Sequence, residues 1–290
     1  MNIFRTIVAF TLLVFVALPS VSGQQNAKLG DNAALRYWSA FAQMQDAALT
    51  DQQVKELNGI LDGPLPYDDS KYKDLVERNK PAIETMIRAT ELSSCEWGVD
   101  YRLGPDAPVD YVRKALALGR LNVLYAFHLM IARDADGAAR ALAAGLRFSR
   151  DVANGGTLFA TVVAKDLLVT HLRAVQFVLH DADRAPSAAQ LAVVKMAIAR
   201  LGSNGLDWQA AMKREFGIPL KLDAPASAAM ARIVPVYLTA LNDPSVLPKL
   251  GEMIANAPRP VPDLIPNPKR VFEEKQELIN KLRETRARLH

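Results

Sequence analysis

The sequence predicts an all-α protein, built as a right-handed stack of helical hairpins of the tetratricopeptide kind. Three observations predict it. Apolar residues recur at spacings of three and four through most of the chain. Capping residues and Gly or Pro breakers punctuate these stretches at helical lengths. No alternating strand pattern bounded by a hairpin dipeptide occurs anywhere.

The elements follow in order. Asp31 to Asp46 carries Leu35, Trp38, Phe41 and Ala42 as an amphipathic stripe. Thr50 and Gln53 form a capping box opening a second helix, which Gly63-Pro64 closes. Pro81 suits the first turn of a helix bearing Ile83, Met86, Ile87 and Leu92. A loop, Ser93 to Ala107, follows, and Pro108 opens a long helix to about Ala132. Asp134 can cap the next, Ala135 to Val152, ended by Asn154-Gly155-Gly156. Thr157 to Leu179 is apolar nearly all round and reads as the central, most buried helix. Lys165, Asp166, His171 and Arg173 interrupt it, which excludes a membrane span. Ser187 and Gln190 form a second capping box, and Gly202-Ser203-Asn204-Gly205 is a turn. Leu206 to Phe216 and Pro225 to Leu241 supply two more helices, with Pro235 inside the second.

Composition then changes. Seven of the 17 prolines fall between Pro244 and Pro268, so residues 243–268 read as an extended, semi-rigid connector. Residues 269–290 read as a charged terminal helix with a narrow seam of Phe272, Ile279, Leu282 and Leu289. One internal echo relates Lys114-Ala-Leu-Ala-Leu-Gly119 to Arg140-Ala-Leu-Ala-Ala-Gly145, which points to stacked hairpins. The 34-residue period and Trp-Leu-Gly-Tyr run of tetratricopeptide repeats are missing.

The first 23 residues have the form of a secretory signal. Arg5 gives a positive start, Ile7 to Leu18 an apolar run, and Val21-Ser22-Gly23 a small-residue cleavage site. The expectation is export to the periplasm or outside the cell, with no integral membrane segment after cleavage. The 267 residues from Gln24 on carry 34 basic and 31 acidic residues, a formal charge of +3 with no dominant block. So weak a balance gives no nucleic-acid-binding face. Cys95 is the single cysteine, so stability must come from packing and not from an internal disulfide. The absence of an Asn-x-Ser/Thr acceptor favours a bacterial envelope.

Candidate chemistry is sparse. Four histidines, His128, His171, His180 and His290, show no metal-ligand spacing, and no metal or cofactor is expected. No Gly-x-Ser-x-Gly elbow or phosphate-cradling loop is present. The loop Ser93 to Pro105 is the most distinctive stretch: Cys95, Glu96, Trp97, Asp100 and Arg102 crowd together, with Glu91 just before. Two carboxyls beside an aromatic would serve as a raised acid and an ionised partner in a hydrolase or lyase acting on cell-wall sugar or peptide, which makes Glu91, Glu96 and Asp100 the candidate catalytic groups. The competing reading is a loop pinned to the bundle by Trp97 and Tyr101 with its acids solvated. Arg113 with Arg120, and Arg140 with Arg147, are each seven apart and align on their own helix faces. On adjacent helices these four, with Trp97, would line a basic groove for an acidic peptide or polysaccharide.

The run Cys95-Glu-Trp-Gly-Val-Asp100, then Gly104-Pro105, Asp136-Gly-Ala-Ala139 and Leu146-Arg-Phe-Ser-Arg150, resembles a group of exported bacterial helical proteins in which a Cys-x-Trp loop precedes helical hairpins. The likeness covers roughly residues 90–180. It implies a helical fold and an envelope location, and it brings no activity with it. The sequence favours a non-catalytic exported scaffold over an enzyme, with residues 24–242 as a helical domain that binds a protein or peptide.

Overall fold

The computed structural model describes residues 29–63, 65–180 and 186–289. The apolar leader of residues 1–23 lies outside the described residues. Within them the chain is all-α, as the sequence predicts. In order, the helices are α1 (Ala33–Gln43), α2 (Asp51–Leu61), α3 (Lys73–Ala89), α4 (Tyr111–Ile131), α5 (Ala135–Ala153) and α6 (Leu158–His180). There follow α7 (Ala188–Ala199), α8 (Trp208–Phe216), α9 (Ala224–Ala240), α10 (Leu247–Ala255), α11 (Val261–Leu264) and α12 (Pro268–Arg288). No described helix is long and apolar enough to cross a membrane.

The caps form where the sequence places them. Thr50 with Gln53 and Ser187 with Gln190 make complete capping boxes, and Asp134 accepts from the Gly137 amide at 2.8 Å. The hairpins α4–α5 and α5–α6 are joined by short turns, and α5 touches α3, α4, α6 and α7. Small residues permit these approaches. On α5 they are Gly137, Ala138, Ala141, Ala144, Gly145 and Ser149, all buried. The internal echo acquires a physical meaning here. A Cβ on Gly119 would come within 2.5 Å of Leu167, and one on Gly145 within 2.2 Å of His171. Leu167 and His171 are one turn apart on α6, so the two glycines seat two helices on the same face of α6.

His171 is fully buried within a small polar cluster. Its Nδ1–H donates to the Leu167 carbonyl at 2.8 Å, which leaves Nε2 to accept from Asn122 Nδ2 at 3.2 Å. The second Asn122 proton reaches the Ala141 carbonyl at 2.9 Å, and Ser149 Oγ donates to the Gly145 carbonyl at 2.7 Å. Burial pushes His171 down to about 4, so the ring is neutral near pH 7.

Four expectations need correction. On α1, Leu35 and Trp38 are exposed, and the buried face is Ala33, Ala34, Tyr37, Ala40 and Phe41. Tyr37 takes the inward position because its hydroxyl has a buried partner there. Pro81 lies in the middle of α3, not in its first turn, since the helix starts at Lys73 after a short turn capped by Asp68. The proline-rich stretch is not extended. Pro244 starts a 3-10 turn, Pro248 and Pro262 lie in the first turns of α10 and α11, and Pro268 opens α12. In each case the missing N–H falls where a helix has no acceptor for it. Finally, the buried seam of α12 is Val271, Lys275, Leu278, Leu282, Thr285 and Leu289, one residue out of step with Phe272 and Ile279.

That seam docks α12 on the body, mainly along α6. Lys165 on α6 is 4% exposed and lies under Glu274, at 2.6 Å, and Glu277. Burial alone would depress its ammonium, but the two carboxylates and Asp166 outweigh that and hold its pKa above the ordinary lysine range. Gln176 Nε2 donates to Thr285 Oγ1 at 2.8 Å, and Arg286 reaches the Ile198 carbonyl at 3.2 Å. Gly205, at φ 72°, lets the turn before α8 close on Leu278 and Leu282.

Replacing Gly145 by Ala should destabilise the protein by about 1–3 kcal/mol, since the methyl meets an imidazole and an amide that cannot both move. Gly251→Ala, in open space on α10, should instead raise stability by about 0.5–1 kcal/mol. Urea unfolding of the two variants distinguishes them. Equal effects would contradict the close approach of α5 to α6.

Candidate functional site

The loop after α3 is fastened at both ends. Asn32 caps α1 through the Ala34 amide at 3.0 Å and also pairs with the Glu96 backbone, accepting its N–H at 2.8 Å and donating to its carbonyl at 2.9 Å. Beyond it, two donors converge on one acceptor at the end of α5. Trp97 Nε1–H donates to the Asp151 carbonyl at 2.8 Å, and Cys95 Sγ approaches the same oxygen at 3.7 Å. Asn154 Nδ2 returns the contact, donating to the Cys95 carbonyl at 2.6 Å. The Trp97 ring stacks on Tyr111 with centroids 4.1 Å apart, and Tyr37 and Phe41 also stack on it. Cys95 and Trp97 are therefore the pin of the loop. Burial pushes the Cys95 thiol up, so it is protonated near neutrality and is no nucleophile.

The three loop acids do not meet. Glu91 and Glu96 are exposed and border different hollows. Asp100 accepts from Arg102 Nε and a terminal nitrogen, each at 2.8 Å, and these bonds hold its carboxyl down at about 2. A carboxyl held low by a guanidinium cannot act as a general acid near neutral pH. The carboxyl raised beside this loop is that of Asp151, where burial outweighs the Tyr37 hydroxyl at 2.8 Å and the nearby Arg150 and Arg147.

Of the four candidate arginines, the structure separates one pair from the other. Arg113 is exposed on α4, and Arg120 is partly buried, lowered by desolvation against the opposing pull of Asp166. Arg140 and Arg147 face a groove between the end of α3, α5 and α7, with a volume near 270 Å³. Arg150 and Arg200 join them, and Ala143, Ala144, Val193, Met196 and Ala197 supply an apolar floor. Among the described residues, Glu91 is the one acid lining it. Trp97 lies outside this groove, held in the aromatic cluster under α1.

Arg147 and Arg150 also line a second hollow, of about 800 Å³. Its walls are the C-terminal end of α5, the turn 201–206, the start of α8, and Lys275 of α12. Arg214 enters it while donating to the Gly156 carbonyl at 3.2 Å and lying over the Tyr101 ring. The Arg147–Arg150 spacing was open to sequence reading as a second basic step on one face. Arg200 reaches the groove from the end of α7, and Arg214 and Lys275 reach the cavity from α8 and α12, and no local pattern announces that.

No group of three or more His, Cys, Asp or Glu among the described residues is placed to hold a metal ion. Comparison of the chain with family models, with curated proteins and with solved structures gave no match.

A thiol reagent should leave Cys95 unmodified in the native protein, where the residue is 5% exposed. Trp97→Ala should cost about 3–5 kcal/mol and make the thiol reactive under native conditions. Prompt labelling of the wild-type thiol would contradict the pinned loop.

Proposed function

We propose that this chain is a non-catalytic helical scaffold, exported to the cell envelope, that holds an acidic protein or peptide segment along the α3–α5–α7 groove. The observation that carries the reading is the imbalance of charge there: among the described residues Arg140, Arg147, Arg150 and Arg200 line the groove with Glu91 as its one acid, and Asp151, buried behind Arg147 and Arg150, offsets only part of that charge. Guanidinium groups pair with carboxylates in a bidentate way, which suits a run of Asp or Glu side chains. The apolar floor, with Met196 56% exposed, suits an aliphatic or aromatic residue between the acids. Export rests on the leader sequence, and the separation of Glu91, Glu96 and Asp100 weighs against a hydrolase built on those acids.

Fluorescence anisotropy of a labelled Glu/Leu peptide, with a Lys/Leu peptide of equal length as control, tests the groove. Only the acidic peptide should bind, and its affinity should fall with added salt. Arg140→Glu with Arg200→Glu, both on exposed positions, should weaken it about tenfold or more, corresponding to roughly 1.4 kcal/mol. Equal binding of the two peptides, or an unchanged affinity in the double variant, would sink the proposal.

A further inference from the structure

An acidic segment in the α3–α5–α7 groove must place its backbone somewhere, and the lining of the groove restricts how. Each bound residue brings one N–H and one C=O that need partners. Carbonyls would find donors in the four arginines, but guanidinium groups do not accept. For N–H groups the groove offers almost nothing. Its side-chain acceptors among the described residues are Glu91 and Thr90, and Thr90 is buried, its hydroxyl donating to the Ile87 carbonyl at 2.7 Å. The carbonyls at the end of α3 already accept from the Thr90, Glu91 and Leu92 amides. Those at the end of α7 accept from Arg200, Leu201 and Gly202. An extended chain would therefore lay unpaired N–H groups on an apolar floor, whereas an α-helix pairs its own.

The flanking helix α7 favours the same kind of neighbour. Of its 12 residues only Gln190 and Lys195 are polar, yet it buries only Val194 and Ile198. Ala188, Ala189, Ala192, Met196 and Ala199 are exposed. A helix apolar on all sides belongs inside a packed layer, and alanines let a second helix come close. Lys195 and Arg200 are also exposed on α7, so pairing it with a second copy of itself would add cation to cation. The first acidic residue of the chain is Asp31, so the residues before it cannot supply the missing charge. A separate acidic partner is what remains.

We infer that the segment held in the groove is an amphipathic helix, with an aliphatic side chain against Met196 and acids seven residues apart facing Arg140 and Arg147. Those arginines are two turns apart on α5, about 10.5 Å along its axis, and a helix beside it repeats its face over that distance every seven residues. An extended chain covers it in about three residues. This rests on the groove reading above and specifies its occupant.

Three amidated peptides of Ala, Gln, Leu and Glu test it. The first has two Glu seven apart with Leu midway on the same helical face. The second is the same composition reordered with the Glu three apart, and the third is the first with a central Ala on the far face replaced by Pro. Fluorescence anisotropy gives the affinities, and the ¹³Cα shift of labelled Leu in the bound peptide distinguishes helix from extended backbone. The first peptide should bind about tenfold or more tighter than the other two, with its Leu shift on the helical side. Met196→Gln, at an exposed position, should weaken it about fivefold or more at an unchanged thermal midpoint, while Met196→Leu retains it. Equal binding of the three peptides, an extended Leu shift, or a Met196→Gln variant that binds like wild type would overturn the helix and leave the acidic groove standing. Failure of all three to bind would overturn both.

Discussion

Much of the molecule hangs on Asp151, in the last turn of α5. Its carbonyl receives Trp97 and approaches Cys95 from the loop, and its carboxylate receives Tyr37 from α1. The same carboxylate lies against Arg150 at 3.4 Å and Arg147 at 3.8 Å, and so sets the two cations shared by the groove and the cavity. One residue thereby couples the N-terminal layer and the aromatic cluster to the basic surface. Burial makes its charge costly, which is why its carboxyl is raised despite two guanidinium neighbours and a hydroxyl donor. The backbone part of the node costs nothing of that kind, since a carbonyl at a helix end needs partners in any case.

A second constraint closes the structure at its other end. The terminal helix α12 is fixed by the burial of Lys165 beneath Glu274 and Glu277 and by Gln176 on Thr285. It brings Lys275 to the wall of the cavity. The glycines at 119 and 145 set the depth of the helices behind it. Their lack of a side chain is a packing requirement at both positions, and the short echo between the two segments is its trace in sequence.

Much of this was legible in the sequence, and what was not has identifiable causes. Capping boxes at Thr50 and Ser187 are local, and they appear as read. The central helix could be read because its apolar residues run nearly all round. Faces were harder. Tyr37 and Trp38 are neighbours of similar hydrophobicity, and a buried carboxylate 114 residues away decides which turns inward. The register of α12 slipped by one because Lys275 and Thr285 lie on its buried face, and apolar spacing cannot count polar residues. Prolines read as an extended linker open short helices instead, since helix interiors exclude proline and first turns do not. Of the candidate site residues, Arg140 and Arg147 share a groove, whereas Arg113, Arg120 and Trp97 have other neighbours. The partners that complete the groove and cavity come from helices distant in sequence, where spacing carries no signal.

The most direct measurement is on Asp151→Asn, taking unfolding free energy and affinity for the acidic Glu/Leu peptide together. The variant keeps the carbonyl that anchors Cys95 and Trp97 and an oxygen for Tyr37, and it removes the buried charge opposing Arg147 and Arg150. If Asp151 is the node described, stability should change by no more than about 2 kcal/mol and the acidic peptide should bind more tightly. Weaker binding in a variant that remains folded would contradict a groove whose affinity comes from its excess of positive charge.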